Sequence, residues 1–130
     1  MVSTQRLKPT VLVVDDHHPT AYAVAKMLTH AGFKVRQAFT GLAAIRTANI
    51  LPAVIILDVH LPDINGFDVC RRLRSDPRTA KIPILFLSST FDFVRGKVEA
   101  AKCGAQAFLS HPIAPAQLAE AIESALQEAS

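Results

Sequence analysis

Three carboxylates that end apolar runs are the residues best suited to chemistry. Asp15 and Asp16 follow Val11-Leu12-Val13-Val14, and Asp58 follows Val54-Ile55-Ile56-Leu57. Acidic groups gathered at one place repel one another and call for a cation. Mg²⁺ takes oxygen ligands in an octahedron and keeps several waters, so two or three carboxylates on a rigid support suit it. Such a cation neutralises charge while a neighbouring carboxylate attacks a phosphoryl group as nucleophile. His17 and His18 come directly after the acidic pair. Beside carboxylates they still favour oxygen-liganded Mg²⁺ over zinc.

The runs that carry the carboxylates are short, β-branched and nearly continuous, the pattern of parallel strands covered on both faces. Carboxylates that stop two such strands meet at the carboxyl edge of the sheet, where open α/β folds bind their ligands. An acidic, cation-binding pocket is the expectation. The rest of the chain alternates strands with helices. Val11 to Asp15 reads as the first strand, and Pro19 to Ala31 as a helix with Ala21, Val24, Ala25 and Leu28 on one face, stopped by Gly32. Lys34 to Phe39 reads as the second strand. Thr40 caps a helix to about Asn49, with Leu42, Ile45 and Ala48 inward. Val54 to Asp58 is the third strand. A helix from Gly66 to about Ser75 turns Val69, Cys70 and Leu73 inward and ends at Asp76-Pro77. Ile82 to Ser88 and Phe91 to Cys103 form the fourth strand and helix, closed by Gly104; Ala105 to Ser110 and Ala114 to Glu128 form the fifth pair, the helix built on Leu118, Ala121, Ile122 and Ala125. Five βα units with right-handed crossovers make a parallel sheet sandwiched by helices.

At 130 residues, half of them hydrophobic, the chain is long enough for one domain with a single core. No window approaches the ~18 apolar residues of a membrane span, and Met1 to Thr10 lacks the apolar middle of a secretory signal, so a cytoplasmic protein is expected. The net charge is +3, but the only basic cluster, Arg71, Arg72, Arg74 and Arg78, lacks interleaved aromatics and reads as a solvated helix face. Direct nucleic-acid binding is not expected. Cys70 and Cys103 have no metal or redox spacing and read as buried or half-buried thiols.

The chain resembles the response-regulator receiver domains of two-component signalling, in particular the chemotaxis-regulator type, from Val11 to about Leu126. The resemblance is carried by Val-Val-Asp-Asp at 13 to 16, Asp58-Val-His-Leu-Pro62-Asp-Ile-Asn-Gly66, Pro83 to Ser88, and the His111-Pro112 step. It implies a flavodoxin-like, doubly wound (βα)5 fold with strand order 2-1-3-4-5, a single receiver domain over residues 1–130, and a phosphorelay function. It assigns Asp58 as phosphoacceptor, Asp16 as a direct Mg²⁺ ligand, Asp15 as a ligand through water and the backbone carbonyl of His60 as a further ligand. Ser88 would bond the phosphoryl oxygen, and Phe108 stands where the family often has an aromatic switch. A core role for Phe108 is the plainer reading. Pro62 stiffens the loop after the phosphoacceptor, and Gly66 supplies a left-handed or close-approach backbone. The implied partners are a sensor histidine kinase or phosphotransfer protein, a downstream protein or output domain, and a second copy through the fourth helix, fifth strand and fifth helix.

One position departs from the family. A lysine normally precedes the proline after the fifth strand, and here it is His111, shorter and charged only part of the time near neutral pH. That change allows a second reading, a pseudo-receiver acting as a constitutive interaction module. His60 and Thr90 hold positions that in the family govern water access to the phosphoryl group. A Mg²⁺-dependent phosphatase would need a second aspartate two residues after Asp58, where His60 stands.

Overall fold

The structure is a computed structural model and describes residues 8–89 and 92–129. Thr90, Phe91 and most of the stretch read for a signal lie outside the described residues. Five strands form one parallel sheet: β1 (Thr10–Val14), β2 (Lys34–Ala38), β3 (Val54–Leu57), β4 (Ile84–Ser88) and β5 (Ala107–Ser110), in the order 2-1-3-4-5. The central strands β1 and β3 pair from Val11 against Val54 to Val14 against Leu57, so both stop at the same level. The helices are α1 (His18–His30), α2 (Gly41–Thr47) with a 3-10 turn at Ala48–Ile50, α3 (Gly66–Ser75), α4 (Phe93–Cys103) and α5 (Pro115–Ala129).

Strand alternation divides the core into two layers. Leu12, Val14, Ile55, Leu57, Ile84 and Phe86 face α2, α3 and α4, where they meet Ala44, Val69, Cys70, Leu73 and Ala100. Val11, Val13, Val54, Ile56, Leu85 and Leu87 face α1 and α5, against Val24, Leu28, Leu118 and Ile122. Continuous apolar runs were the right signal because both faces are covered. The helix stops fall as expected, with Gly32 and Gly104 at φ 99° and 91°.

Several expectations are corrected. Leu42 points outward at 47% exposure, and Gly41, Ala44 and Ala48 form the buried face of this segment. The cause is the loop after β3: a Cβ at Gly41 would run into Ile64 and come within 2.9 Å of Val69 Cγ2, so the small face is the one that fits. β4 starts at Ile84, because Pro83 has no amide to donate and Ile82 is held in a turn, its N–H donating to Thr79 O at 3.1 Å. α4 begins at Phe93, capped by Asp92, whose carboxylate accepts from Arg95 N at 2.9 Å. Arg74 is not part of a solvated face. It lies half-buried and donates to the carbonyls of Gly104 (3.0 Å), Ala80 (3.1 Å) and Ile82 (2.7 Å), and to Gln106 Oε1 at 3.3 Å. The same Gln106 oxygen accepts from Ile84 N at 2.7 Å, so one polar knot ties α3 to the starts of β4 and β5.

Candidate functional site at the carboxyl end of the sheet

Because β1 and β3 stop together, Asp15, Asp16 and Asp58 converge. One carboxylate oxygen from each lies within 4.8 Å of the others. Asp58 N donates to Val14 O at 3.0 Å and Asp15 N to Ala38 O at 3.1 Å, so the ladder continues into the site and fixes both backbones. Asp58 Oδ1 accepts from Val59 N at 2.8 Å, and Asp15 Oδ1 from His17 N at 2.9 Å. These bonds satisfy part of each carboxylate.

The electrostatics remain unbalanced. Burial, followed by the charge of Asp15 and then that of Asp16, pushes the Asp58 carboxyl up to about 7, and the Val59 and His60 amides oppose that only partly. Asp15 is also raised, by burial first and by Asp16, against the lowering effect of the His17 amide and the charges of His17 and His111. A bound cation would reverse both shifts. Oxygen donors alone, converging and short of positive charge, fit a hard divalent ion such as Mg²⁺.

The surrounding pocket has a volume of about 370 Å³ and is lined by Asp15, Asp16, His17, Thr20, Asp58, His60, Leu87, Ser89 and His111. Five of the residues expected at the site are therefore together. Ser88 and Phe108 are not among the lining. Ser88 is the buried last residue of β4, and Phe108 lies in the core and borders a separate groove of about 850 Å³ with Phe93, Ile113 and Gln117. His111 N donates to Ser88 O at 3.0 Å, which extends the β4–β5 ladder one step and holds His111 level with the carboxylates. Thr20 and Ser89 are lining residues that sequence reasoning missed. An hydroxyl one position past a strand-end serine carries no periodic signal, and Thr20 enters only through the pitch of α1. His17 is occupied: it caps α1, its Nδ1 3.3 Å from Thr20 N and 2.6 Å from Thr20 Oγ1. His18 turns away and stacks on Phe39 at 4.1 Å between ring centroids.

The loop after Asp58 is held tightly. Gly66 N donates to Val59 O at 2.8 Å, and a Cβ at Gly66 would collide with the backbone oxygen of Asp58. Close approach, rather than a left-handed backbone, is the reason for glycine here. Asp63 then accepts from the Gly41 and Leu42 amides at 2.8 and 2.9 Å, pinning the loop to the start of α2.

A family profile described as the response regulator receiver domain matches residues 11–123. The chain is 37% identical over 105 residues to the DNA-binding dual master transcriptional regulator RpaA of Synechocystis sp., a match covering 80% of this chain and 43% of that protein. It is 36% identical over 104 residues to the response regulator PleD of Caulobacter vibrioides, covering 79% of this chain and 23% of PleD. A crystal structure of a putative response regulator from Chloroflexus aurantiacus superposes with a TM-score of 0.87 at 34% identity, covering 93% of this chain and 99% of that one. The chain belongs to the response-regulator receiver family, and it spans less than half the length of the two named regulators. Receiver domains bind Mg²⁺ at an acidic aspartate cluster and work with histidine kinases and output domains; this chain has such a cluster. Among the described residues no helix is long and apolar enough to cross a membrane.

Proposed function

We propose that this chain is a single, cytoplasmic receiver domain that accepts a phosphoryl group on Asp58 from the phosphohistidine of a sensor kinase or phosphotransfer protein. The observation that carries the reading is the convergence of three carboxylates around an Asp58 whose carboxyl is pushed up to about 7 by burial and the charges of Asp15 and Asp16. Asp16 and Asp58 would hold Mg²⁺ directly, Asp15 through a water, with the His60 backbone carbonyl as a further ligand. Bound Mg²⁺ supplies positive charge that keeps Asp58 ionised and offsets charge on the transferring group. Asp58 attacks phosphorus, an O–P bond forms, the donor's N–P bond breaks, and the departing imidazole takes up a proton. Ser88 and His111 then receive the phosphoryl oxygens. The rearrangement passes to Phe108 and to the face made by α4, β5 and α5. On α4 that face carries Phe93, Val94 and Val98, exposed at 46%, 73% and 49%. A downstream protein, an output domain or a second copy of the chain would bind there.

Intact-mass measurement after incubation with a small acyl phosphate and Mg²⁺ tests this. One phosphoryl addition is expected in the wild type, none without Mg²⁺, and none in Asp58→Asn. In the same experiment His111→Ala is expected to accept the group while the Phe108 signals respond less to it in NMR spectra. Equal labelling of Asp58→Asn refutes the assignment.

A further inference from the structure

Cys70 and Cys103 stand 33 residues apart in sequence, yet the packing of α3 on α4 brings their thiols together. Cys70 Sγ donates to the Cys103 carbonyl oxygen at 3.2 Å and Cys103 Sγ to Ala100 O at 3.3 Å, so the two side chains are buried neighbours between α3 and the end of α4. The pair sits at the Arg-rich end of α3, and a Cβ at the neighbouring Gly104 would lie 3.2 Å from Arg74 Nε. We propose that Cys70 and Cys103 form a redox-active pair that hydrogen peroxide converts to a disulfide joining α3 to the end of α4.

The two thiols are not equivalent. The neighbouring Cys70 side chain, then the Ala105 amide and the charge of Arg71, favour the Cys103 thiolate against the opposing effect of burial, while Cys70 is pushed up and stays protonated. Cys103 is also the more accessible, at 5% exposure against 0%, on the last residue of α4. Thiolate character and access decide which sulfur is attacked first. The Cys103 thiolate attacks one peroxide oxygen, the O–O bond breaks, and hydroxide leaves and is protonated to water. The Cys70 sulfur then attacks the Cys103 sulfenic acid. An S–S bond forms, the S–O bond breaks, and the second water carries away the Cys70 proton. Two thiols are oxidised and one peroxide is reduced to two waters.

The bond would close a covalent loop containing β4 and the connection to α4. It would anchor α4 at its C-terminal end by a route that does not involve Asp58. It goes beyond the phosphorelay reading, and the following test does not use phosphorylation.

Folded wild-type protein is treated with hydrogen peroxide, quenched, denatured and alkylated with N-ethylmaleimide. The expected product is about 2 Da lighter than the reduced chain, takes up no maleimide, and yields a Cys70–Cys103 linked peptide on digestion. Cys70→Ser is expected to stop at a sulfenic acid on Cys103 that dimedone traps, and Cys103→Ser to resist oxidation under the same conditions. Two maleimides on the treated wild type, sulfinic acid without a disulfide, or a linkage only between separate chains overturns the proposal. Because the wild type alone gives the decisive mass, a poorly folding serine variant does not remove the test.

Discussion

The two ends of this sheet put polar side chains to opposite uses. At the amino end, where β4 and β5 begin, polar groups cancel: Arg74 serves three carbonyls and Gln106, and Thr79 is buried with its hydroxyl on Leu73 O at 2.7 Å. At the carboxyl end, polar groups of one sign accumulate: three carboxylates share a pocket and leave Asp58 raised to about 7. The first end is a fastening and the second is a reservoir of unfavourable charge that a ligand can release. A fold can place a reactive cluster at the ends of β1 and β3 because the opposite edge of the same sheet is fastened independently, at the starts of β4 and β5.

The comparison is broken most severely at Gly66. Gly66→Ala forces a methyl group against the Asp58 backbone oxygen, and a loss of about 3 kcal/mol or more in urea denaturation is expected, together with loss of phosphoryl acceptance. Arg74→Ala strips carbonyls of Gly104, Ala80 and Ile82 of their donor. It is expected to cost about 2–3 kcal/mol by the same measurement. Phosphoryl acceptance at Asp58 should survive, which would separate the two ends; joint loss of both would show that they are coupled.

Asp58→Asn sharpens the contrast from the other side. In metal-free buffer the folded carboxyl titrates near 7 against an ordinary value of 3.8. A raised carboxyl stabilises the fold fully below the unfolded value, and that stability is lost as pH rises from about 4 through about 7. Asn, which never ionises, escapes the loss. Asp58→Asn is therefore expected to be more stable than wild type at pH 8 by about 1–2 kcal/mol after solvent screening, and no more stable at pH 4. Saturating Mg²⁺ should shrink the difference at pH 8.

The smallest effect belongs to Asp63, which the Leu42 and Gly41 amides hold below the usual carboxylate range. Its contribution is present above the ordinary value and lost as pH falls through the depressed one. Asp63→Asn should lower the melting temperature slightly at pH 7 and converge on wild type in strong acid. A larger drop than that of Arg74→Ala would mean that the loop after β3, not the polar knot, fastens the fold.

Much of this arrangement was legible in the residues. Val11 to Val14 and Val54 to Leu57 announce covered parallel strands, and the acidic residues after them announce where the site lies. Contacts between distant segments were not legible. Leu42 looked inward by helical spacing, but Ile64 and Val69 occupy that side of α2 and leave room only for Gly41 and Ala44. Arg74 looked solvated because charge usually is, and its acceptors lie up to 32 positions away in sequence. The Cys70 and Cys103 thiols share no local pattern, since two helices bring them together. Periodicity reports which face is buried; it does not report what is waiting there.

The amide bond from His111 to Ser88 O has a consequence for how this segment can change by insertion and deletion. β5 is four residues long, and the ladder runs through it without interruption from Ala107 against Leu85 to Ser110 against Ser88. One residue added or removed inside β5 reverses the facing of every side chain beyond it. Leu109 and Phe108 would exchange layers, and His111 would leave the level of Asp58. Substitution at 111 is a local event, whether to lysine, alanine or another residue, whereas a change of length by one is a change to both core layers and the pocket together.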